Sequence, residues 1–351
     1  MNNKVFSILF LSIITCFSLG YILQKEQTIS ISERRKKTVG QDVRNYAWSD
    51  PFFYKELEKY AQDQLPFREQ LRMLKYTLAT TIGKQKDVHG IYKYKESWMK
   101  RKDVYEQRKT NIFLNKMKIV LQAYPEVDAS YMILPDKTYY EQQTTAYDTL
   151  LQDITLPSWK AIKVHDVLQL QDYFLGDPHL KQEAYIKLLP SIQKAFGKQE
   201  KIQRYTANTY DNFYGSYCAQ VSCGQREPLT YVHNDVIDQA RVAYLDKPDS
   251  VSVYDKNDLS HLDPYDVFLS GPSSFLRISN DRSTSEDTLV MIRDSFGSSL
   301  APVLIPYYKT IYLVDLRYIS FAQAQTLIKE PVTKLLFVFG ETSIQNNENF
   351  R

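Results

Sequence analysis

The amino-acid sequence predicts an α/β protein built on a doubly wound, mostly parallel sheet with inserted β and loop segments. Segments of helical periodicity, such as Val104–Ala123 and Lys181–Phe196, alternate with short apolar runs. Gly and Pro punctuate the polar stretch Lys198–Asp266, which is typical of short strands and loops inserted into such a core. The runs with the length and composition of buried strands are Ala129–Leu134, Leu289–Ile292, Thr310–Val314 and Lys334–Phe339.

Further elements are predicted on the amino-terminal side of these runs and between them. Phe52–Thr81 has helical periodicity interrupted at Pro66, which predicts two consecutive helices. His89–Met99 alternates about a short turn and predicts a β-hairpin. Trp159–Val164 predicts a weak further strand, followed by a helix over Val167–Tyr173.

The amino-terminal run Val5–Leu23 contains no charged residue and is long enough to cross a bilayer as a helix. No small-residue cleavage motif follows it, which favours an uncleaved membrane anchor over a cleaved signal peptide and a secreted protein. Lys25 and the basic run Arg34–Lys37 come next, and the positive-inside rule alone would keep the remainder in the cytoplasm. Long domains translocate largely regardless of such charges, so we expect a single-pass anchor in the cell membrane with the domain outside the cytoplasm.

These features divide the chain into four predicted regions. A membrane anchor occupies residues 1–24, and a polar, basic tether occupies residues 25–47. The extracytoplasmic domain covers residues 48–345, and a polar tail covers residues 346–351.

Composition restricts the classes of partner. The 44 Lys and Arg residues nearly balance the 41 Asp and Glu residues, and the net charge of +3 gives no field of the strength that nucleic-acid binding requires. The 27 tyrosines supply flat apolar rings with a polar tip, which suit both a damp core and the faces of sugars. We therefore expect no nucleic-acid partner.

Two of the three cysteines, Cys218 and Cys223, are close together in the sequence. In an oxidising compartment they could form a disulfide, but two free thiols are equally compatible with the spacing. The nearest histidine, His233, has no companion ligands, so we expect no metal site. No sequence feature calls for a cofactor.

Ser295 lies where a predicted parallel strand gives way to a helix. The apolar strand Leu289–Ile292 is followed by a turn, Arg293–Gly297, and a predicted helix, Ser298–Tyr308. A serine in this place presents its hydroxyl at the carboxyl edge of the sheet, and its backbone N–H points toward any developing anion. The arrangement suits a nucleophile, and the alternative is that Ser295 is only a helix cap.

A nucleophilic serine requires a base, and the chain has five histidines. His179 follows Asp177 by two residues in a turn before a helix, so both side chains could project from one tight loop. His165 has Asp166 beside it, and the other three histidines lack a clear acidic partner. We expect Asp177 and His179 to be the better candidate pair.

Four segments together resemble the family named for its Asp-His-His-Trp (DHHW) motif, a branch of the SGNH hydrolases that is similar to alginate O-acetylation proteins. The resemblance implies an SGNH-hydrolase-like α/β fold and extends over most of the predicted extracytoplasmic domain. The segments are Asp63–Arg68, Gly176–Leu180 with Glu183–Tyr185, Tyr265–Gly271, and Asp294–Ser299 with Val314–Tyr318.

The resemblance implies an acyl-transfer site. Ser295 would be the nucleophile, His179 the general base and Asp177 the group that orients the histidine. The backbone N–H of Ser295 would supply part of an oxyanion hole, with Gly271 beside it. Arg293 would hold an anionic or acetylated group, and its alternative role is that of a solvated charge.

The sequence departs from the family pattern at three positions. Pro178 and Leu180 replace the second histidine and the tryptophan of the name-giving motif, and Pro272 follows Gly271 where an oxyanion donor is common. Two functions therefore stay open. One is O-acetyl transfer to, or removal from, a cell-surface or secreted polysaccharide, for which the resemblance implies a membrane-bound O-acyltransferase partner. The other is a catalytically degenerate glycan-binding or scaffold protein.

Overall fold

The computed structural model describes residues 3–102, 104–142, 146–156, 159–250, 252–283 and 285–346. The chain forms two compact units. The first comprises Met1–His89 and Cys218–Gln225, and the second comprises Gly90–Tyr217 and Arg226–Arg351. The predicted domain limits stay predictions, and most of the predicted tail lies outside the described residues.

The first unit is mainly helical. Helix α1 includes the one segment of the described residues, Lys4–Leu23, that is long and apolar enough to cross a membrane by length and composition. The predicted interruption at Pro66 is confirmed, because one helix ends at Asp63 and the next begins at Arg68. The elements of this unit are α1 (Asn3–Leu23), β1 (Ile29–Ser30), β2 (Arg35–Lys36), α2 (Gly40–Arg44), α3 (Pro51–Asp63) and α4 (Arg68–Thr81).

Residues 25–47, predicted as a polar tether, contain a short β1–β2 hairpin and helix α2. The buried Asp63 carboxylate accepts hydrogen bonds from the Arg35 guanidinium (2.9 Å) and from the Thr38 amide (2.8 Å). The bond from Arg35 lowers the pKa of Asp63 to about 2. The Gln64 side chain donates to the carbonyls of Gln27 and Thr38, both at 2.9 Å. Side chains of the Asp63–Arg68 segment therefore order this stretch.

Cys218 and Cys223 belong to the first unit, where they are bonded with their Cα atoms 5.0 Å apart. This separation lies within the range that disulfides span. Cys16 is free and exposed on α1.

We predict that only Cys16 reacts when the full-length protein, isolated from an oxidising compartment, is denatured and alkylated without reductant. Mass spectrometry of the peptides should show modified Cys218 and Cys223 only after reduction. A Cys218→Ser variant is the control, since it should leave Cys223 reactive from the start. Alkylation of both cysteines before reduction would contradict the disulfide.

The second unit contains the main sheet. Helix α9 is divided between the units, because Ser216 and Tyr217 belong to the second unit and its remaining residues to the first. Single 3₁₀ turns also occur at Leu170–Asp172, Lys256–Ser260, Pro264–Val267 and Ile305–Tyr307. The helices and strands are β3 (Ile91–Tyr94), β4 (Ser97–Lys100), α5 (Gln107–Ala123), β5 (Asp128–Leu134), α6 (Tyr139–Gln142), α7 (Ala146–Asp153), β6 (Trp159–Ala161), α8 (Gln182–Ala195), β7 (Thr206–Phe213), α9 (Ser216–Val221), β8 (Glu227–His233), β9 (Arg241–Tyr244), β10 (Phe275–Ser279), β11 (Thr288–Arg293), α10 (Phe296–Leu304), β12 (Thr310–Val314), α11 (Phe321–Leu327), β13 (Lys334–Gly340) and α12 (Glu341–Gln345).

Seven strands form the sheet in the order β6-β5-β13-β11-β12-β10-β9. The first five strands are parallel to one another, while β10 is antiparallel to both β12 and β9. The predicted mixed α/β fold with a mostly parallel sheet is confirmed, and the finer doubly wound description stays a prediction.

Both faces of the sheet are buried, because side chains of each central strand alternate between two apolar clusters. On β13, Leu336 and Val338 belong to one cluster, and Leu335, Phe337 and Phe339 to the other. Helices α8 and α10 contribute to the first cluster, and α5, α7 and α11 to the second. The burial of both faces explains why these strands are continuous apolar runs in the sequence.

The predicted hairpin is confirmed, since β3 and β4 pair about Lys95 and Glu96. The predicted helix over Val167–Tyr173 is wrong, and only a 3₁₀ turn at Leu170–Asp172 forms there. The Asp172 carboxylate accepts a hydrogen bond from the Gln169 amide (2.9 Å), which closes this turn instead of continuing a helix.

Candidate active site

Ser295 lies between β11 and α10, at the carboxyl edge of the sheet. Its side chain makes no cap hydrogen bond. The neighbouring Asp294 carboxylate caps the helix instead, accepting from the Phe296 amide (3.0 Å), while its second oxygen accepts from the Gly340 amide at the end of β13 (2.8 Å). The hydroxyl of Ser295 is therefore not used to hold the helix.

Ser295, His179 and Asp177 form a continuous chain of hydrogen bonds. The Ser295 Oγ lies 2.8 Å from His179 Nε2, and His179 Nδ1 lies 2.6 Å from Asp177 Oδ1. The same carboxylate oxygen also accepts from the backbone amide of His179 (3.1 Å). The Asp177 side chain is fully buried and that of His179 is 16% exposed, so the serine end of the chain faces solvent.

The Asp177 and His179 side chains project from the tip of a narrow turn. Tyr173 and Leu180 form an antiparallel bridge across its base, and the Phe174 amide donates to the His179 carbonyl (3.1 Å). Both Tyr173 and Leu180 are fully buried in the apolar cluster that includes α8. The base of the turn is therefore fixed by packing and its tip by polar contacts.

A second chain segment lies directly against this tip. The Ser216 amide donates to Asp177 Oδ2 (2.7 Å), and the Tyr217 amide donates to the Gly176 carbonyl (2.9 Å). A Cβ atom at Gly215 would lie 2.2 Å from the Gly176 carbonyl group, so only glycine permits this approach. The Ser216 amide therefore satisfies Oδ2 of Asp177, the carboxylate oxygen that does not contact His179.

A buried ammonium group binds the carbonyls of the turn. Lys137 follows β5, its side chain is fully buried, and its Nζ donates to the carbonyls of Trp98 (2.7 Å), Phe174 (2.8 Å), Leu175 (2.8 Å) and Asp177 (3.3 Å). Burial lowers the pKa of Lys137 to about 8, although nearby carboxylates oppose this shift. The Leu175 carbonyl also accepts from the Trp98 amide (2.8 Å), and Lys137 provides the convergent carbonyls with an ammonium donor.

A carboxylate binds the amides of the same turn. Glu227 at the start of β8 accepts from the Leu175 amide (2.6 Å) and the Gly176 amide (2.7 Å). Burial raises the pKa of Glu227. Lys137 thus donates to carbonyls of the turn, and Glu227 accepts from its amides.

Aromatic rings fix the plane of the His179 imidazole. Its ring stacks on Tyr265 with centroids 4.0 Å apart and an interplanar angle of 19°, and Phe296 packs at 5.1 Å. The Tyr265 hydroxyl is hydrogen-bonded to Ser299 Oγ at 2.7 Å on α10. Burial raises the pKa of the Tyr265 hydroxyl well above its ordinary value, so this hydroxyl stays protonated and the side chain is neutral.

Arg293 is buried beneath the site and is not a solvated charge. Its side chain is 1% exposed, and its guanidinium contacts Ser298 Oγ (3.1 Å), the Ser273 carbonyl (3.4 Å) and the buried Asp315 carboxylate (3.6 Å). Arg317 donates to the same carboxylate at 2.6 and 2.9 Å. The structure thus directs Arg293 toward the protein interior.

The predicted anion-binding groups differ in availability. The Ser295 amide donates to no atom of the described residues, so it is available to an incoming oxyanion. Gly271 has a positive φ of 74°, and its amide donates to the Phe268 carbonyl at 3.3 Å within a turn. A Cβ atom there would lie 2.6 Å from the Asp266 side chain, which accounts for the glycine.

Chemically, the arrangement can generate a nucleophile. A hydroxyl hydrogen-bonded to an imidazole, itself bonded to a buried carboxylate, can lose its proton as it attacks an electrophilic carbon. The described residues contain no group of three or more His, Cys, Asp or Glu side chains placed to hold a metal ion. His165 and Asp166 contact each other at 3.4 Å, and the His165 ring packs on Tyr147.

Sequence patterns missed three supporting side chains, those of Lys137, Glu227 and Tyr265. Lys137 follows β5 at the carboxyl edge of the sheet, and this position could have indicated a residue near the site. Tyr265 lies in a segment that carries the family resemblance, although its stacking role has no local signature. Glu227 lies among polar loop residues, and no pattern distinguishes it.

The mixed α/β fold is similar to that of a solved DHHW family protein, the family that the sequence resembles. No protein-family model matches the chain, and no curated protein matches it in sequence. The chain is similar to known proteins in three-dimensional structure, and the sequence identities are too low to infer a shared function.

The particular structures that it resembles come from several bacteria. A DHHW family protein from Eubacterium siraeum has a TM-score of 0.59 at 14% identity, covering 75% of this chain and 95% of that one. Bacillus cereus PatB1 has a TM-score of 0.56 at 16% identity, covering 72% and 96%. The O-acetyltransferase domain of Pseudomonas putida AlgJ, at 9% identity and covering 73% and 92%, has a TM-score of 0.45, too low to support an inference.

We predict that Lys137→Met reduces the rate of Ser295-dependent ester hydrolysis on the order of 10²-fold, because the turn that carries Asp177 and His179 loses its internal donor and shifts. The measurement is kcat on a small activated acetyl ester, with circular dichroism confirming the fold at the assay temperature. Lys160→Met, an exposed lysine on β6, is the matched control and should behave as wild type. A folded Lys137→Met variant with an unchanged rate would refute this role.

The pKa of Lys137 also predicts how stability depends on pH. Folding lowers this pKa from 10.5 to about 8, so the buried charge disfavours the folded state below pH 8. The folded state releases the proton first as the pH rises, and the penalty shrinks between these two values. Relative to Lys137→Met, the wild-type free energy of unfolding should therefore rise by up to about 3 kcal/mol over this range, as measured by urea titration. A difference that is constant or falls with pH would contradict the assignment.

Proposed function

We propose that this chain is a serine-dependent O-acyl transfer enzyme that moves acetyl groups to or from the hydroxyls of a cell-surface or secreted polysaccharide. The observation that carries the proposal is the hydrogen-bonded chain from Ser295 through His179 to Asp177, with distances of 2.8 and 2.6 Å. The acetyl group and the polysaccharide are what the sequence resemblance implies. The geometry of the site supports acyl transfer of this kind.

In the first half of the reaction, Ser295 Oγ bonds to the acetyl carbonyl carbon while its proton passes to His179 Nε2. The carbonyl π electrons move to oxygen, and the Ser295 amide donates to the resulting oxyanion. Asp177 accepts from His179 Nδ1–H and stabilises the imidazolium that forms. The oxyanion then collapses, the bond to the donor oxygen breaks, and the proton returns from His179 to that oxygen.

In the second half, an acceptor hydroxyl attacks the acetyl-serine. His179 removes the acceptor proton, the new ester bond forms, and the Ser295 Oγ leaves with the proton from His179. A sugar hydroxyl as acceptor gives transfer, and water gives hydrolysis. Because the two reactions share every protein group, access of water to the partly exposed serine decides between them.

The proposal places the enzyme at the cell membrane, with α1 as the anchor and the second unit outside the cytoplasm. The length and apolar composition of Lys4–Leu23 support the anchor. The resemblance further implies a membrane-bound O-acyltransferase partner that passes acetyl groups across the membrane. Such a partner would explain how an enzyme outside the cytoplasm obtains an activated acetyl group.

We predict that Ser295→Ala lowers hydrolysis of a small activated acetyl ester on the order of 10⁴-fold or more, since the nucleophile is removed. His179→Ala should do the same, and Asp177→Asn should cost on the order of 10⁴-fold by favouring the wrong tautomer. The full chain in detergent is assayed with each variant. Ser320→Ala, at the cap of α11, is the control that should retain wild-type rates.

Equal rates of ester hydrolysis for wild type and Ser295→Ala would refute the proposal that the chain is a serine-dependent enzyme. If polysaccharide binding persisted in all three site variants under those conditions, the catalytically degenerate scaffold would be the correct description. Trapping a labelled acetyl group on Ser295 in acid-quenched wild-type protein would instead establish the acyl-serine directly.

A further inference from the structure

An apolar stripe runs along one face of helix α4 in the first unit. It begins at the helix cap and continues at helical spacing to the residue after the last turn. Leu71 is partly buried, and the other four side chains are between 45% and 74% exposed. Scattered apolar side chains are normal on protein surfaces, whereas a continuous row of large ones indicates a contact surface. The stripe consists of Phe67, Leu71, Leu74, Leu78 and Ile82.

The other side of α4 is bound to the rest of the first unit. The Arg72 guanidinium donates to the carbonyl of Ala219 (3.0 Å), and the Glu69 carboxylate accepts from the Ser222 hydroxyl (2.7 Å). These bonds fix the rotation of α4 about its axis. The stripe is therefore held facing outward.

Two basic residues flank the stripe. Arg68 is paired with Glu33 (2.6 Å) within the unit, and Lys75 is exposed. A lysine beside an apolar surface can lay its methylene groups along that surface and extend its ammonium group into the polar layer above it. This arrangement is typical of a helix that lies at the surface of a membrane.

The start of the stripe contacts α1 within the segment Lys4–Leu23, which is long and apolar enough to cross a membrane. The rings of Phe67 and Phe17 meet edge to face, with their centroids 6.4 Å apart. The ring of Pro66 lies so close to Gly20 that a Cβ atom there would be 2.9 Å from it. The connection between α3 and α4 thus packs on the last turns of α1.

These contacts give the depth of Phe67 in a bilayer that α1 crosses. A helix of this length spans about 30 Å, which is the thickness of the hydrocarbon layer. Phe17 lies about 9 Å along the helix from Leu23, and Gly20 about 4.5 Å. Interfacial helices bury their apolar face about 5–10 Å into the boundary between headgroups and acyl chains. The start of α4 therefore lies at the depth of an interfacial helix.

The backbone of Phe67 supports a contact beyond the protein. Its φ of 59° is in the left-handed region, which is unfavourable for a bulky side chain. Its ring is 56% exposed, so packing on Phe17 covers only part of it. Burial of the remaining surface in a bilayer would offset the unfavourable backbone conformation.

We propose that the apolar stripe of α4 lies in the same lipid bilayer as α1, in the leaflet next to the carboxyl end of α1. The inference rests on the proposed role of α1 as an anchor and adds a second membrane contact to it. A single spanning helix leaves the unit attached to it free to tilt on the membrane. The second contact, along α4, would hold the first unit in one orientation at the membrane surface.

The test measures the depth of spin labels by electron paramagnetic resonance in the full chain, reconstituted into vesicles of phosphatidylcholine and phosphatidylglycerol. Native Cys16, which is free and exposed on α1, carries the label that reports on the anchor. Leu78→Cys and Ile82→Cys are labelled in a Cys16→Ser background. Cys218 and Cys223 are bonded to each other and should not react without reductant. Circular dichroism checks that each labelled variant is folded.

We expect the labels at Leu78 and Ile82 to be accessible to oxygen, which concentrates in the bilayer, and protected from a water-soluble nickel chelate. The ratio of oxygen to nickel accessibility should be several-fold higher at both positions than at Thr77→Cys. Thr77 is the matched control, because it is exposed on the same helix but lies about 100° and 140° around the axis from the two probes.

The outcomes separate this inference from the proposed anchor and from the proposed enzyme. Nickel accessibility at Leu78 and Ile82 equal to that at Thr77, with the Cys16 label in lipid, would overturn the inference and leave the anchor intact. Labels shielded from both reagents would also overturn it, because protein, such as a second copy of the chain, would then cover the stripe. A Cys16 label in water would refute the anchor and the inference together. Ser295-dependent ester hydrolysis, measured on unlabelled protein, does not depend on any of these results.

Discussion

One buried ammonium group determines the conformation of the turn that carries Asp177 and His179. The turn has no ladder of its own beyond the bridge at its base, so its inner carbonyls need a donor from elsewhere. The three N–H bonds of the Lys137 ammonium point at carbonyls of the turn, and the Glu227 carboxylate accepts from its amides. A charge in the interior is costly, but leaving several converging carbonyls unsatisfied would also be costly. The alignment of His179 with Ser295 depends on this balance.

The departures from the family motif look different once their surroundings are known. Leu180 is fully buried in the apolar cluster and bridges Tyr173, so it contributes to the base of the turn. Its side chain takes no part in the hydrogen-bonded chain from Ser295 to Asp177. Arg293, which the resemblance implied as an anion-holding residue, is buried and lies 3.6 Å from the Asp315 carboxylate. Leu180 and Arg293 are therefore both buried in the protein interior.

Much of the fold was predictable because its signals are local. The central strands are apolar on both faces, and Ser295, His179 and Asp177 occur in short patterns next to predicted strand or helix ends. Lys137 and Glu227 were not predictable as partners of the turn, since they lie about 40 and 50 residues from the groups they bind. Residues 25–47 were expected to form a tether because they are polar. Their order comes from Asp63 and Gln64, whose buried side chains satisfy that polarity at long range.

The position of β13 in the sheet has a consequence for the order of folding. It is the last strand in chain order among those described, yet it lies between β5 and β11 in the middle of the sheet. Its final residue, Gly340, supplies the amide that holds Asp294 beside the nucleophile. Contacts of such long sequence separation form late, because closing the intervening loops costs entropy. An intermediate in which β13 has not yet joined the sheet therefore lacks the amide that holds Asp294 beside Ser295.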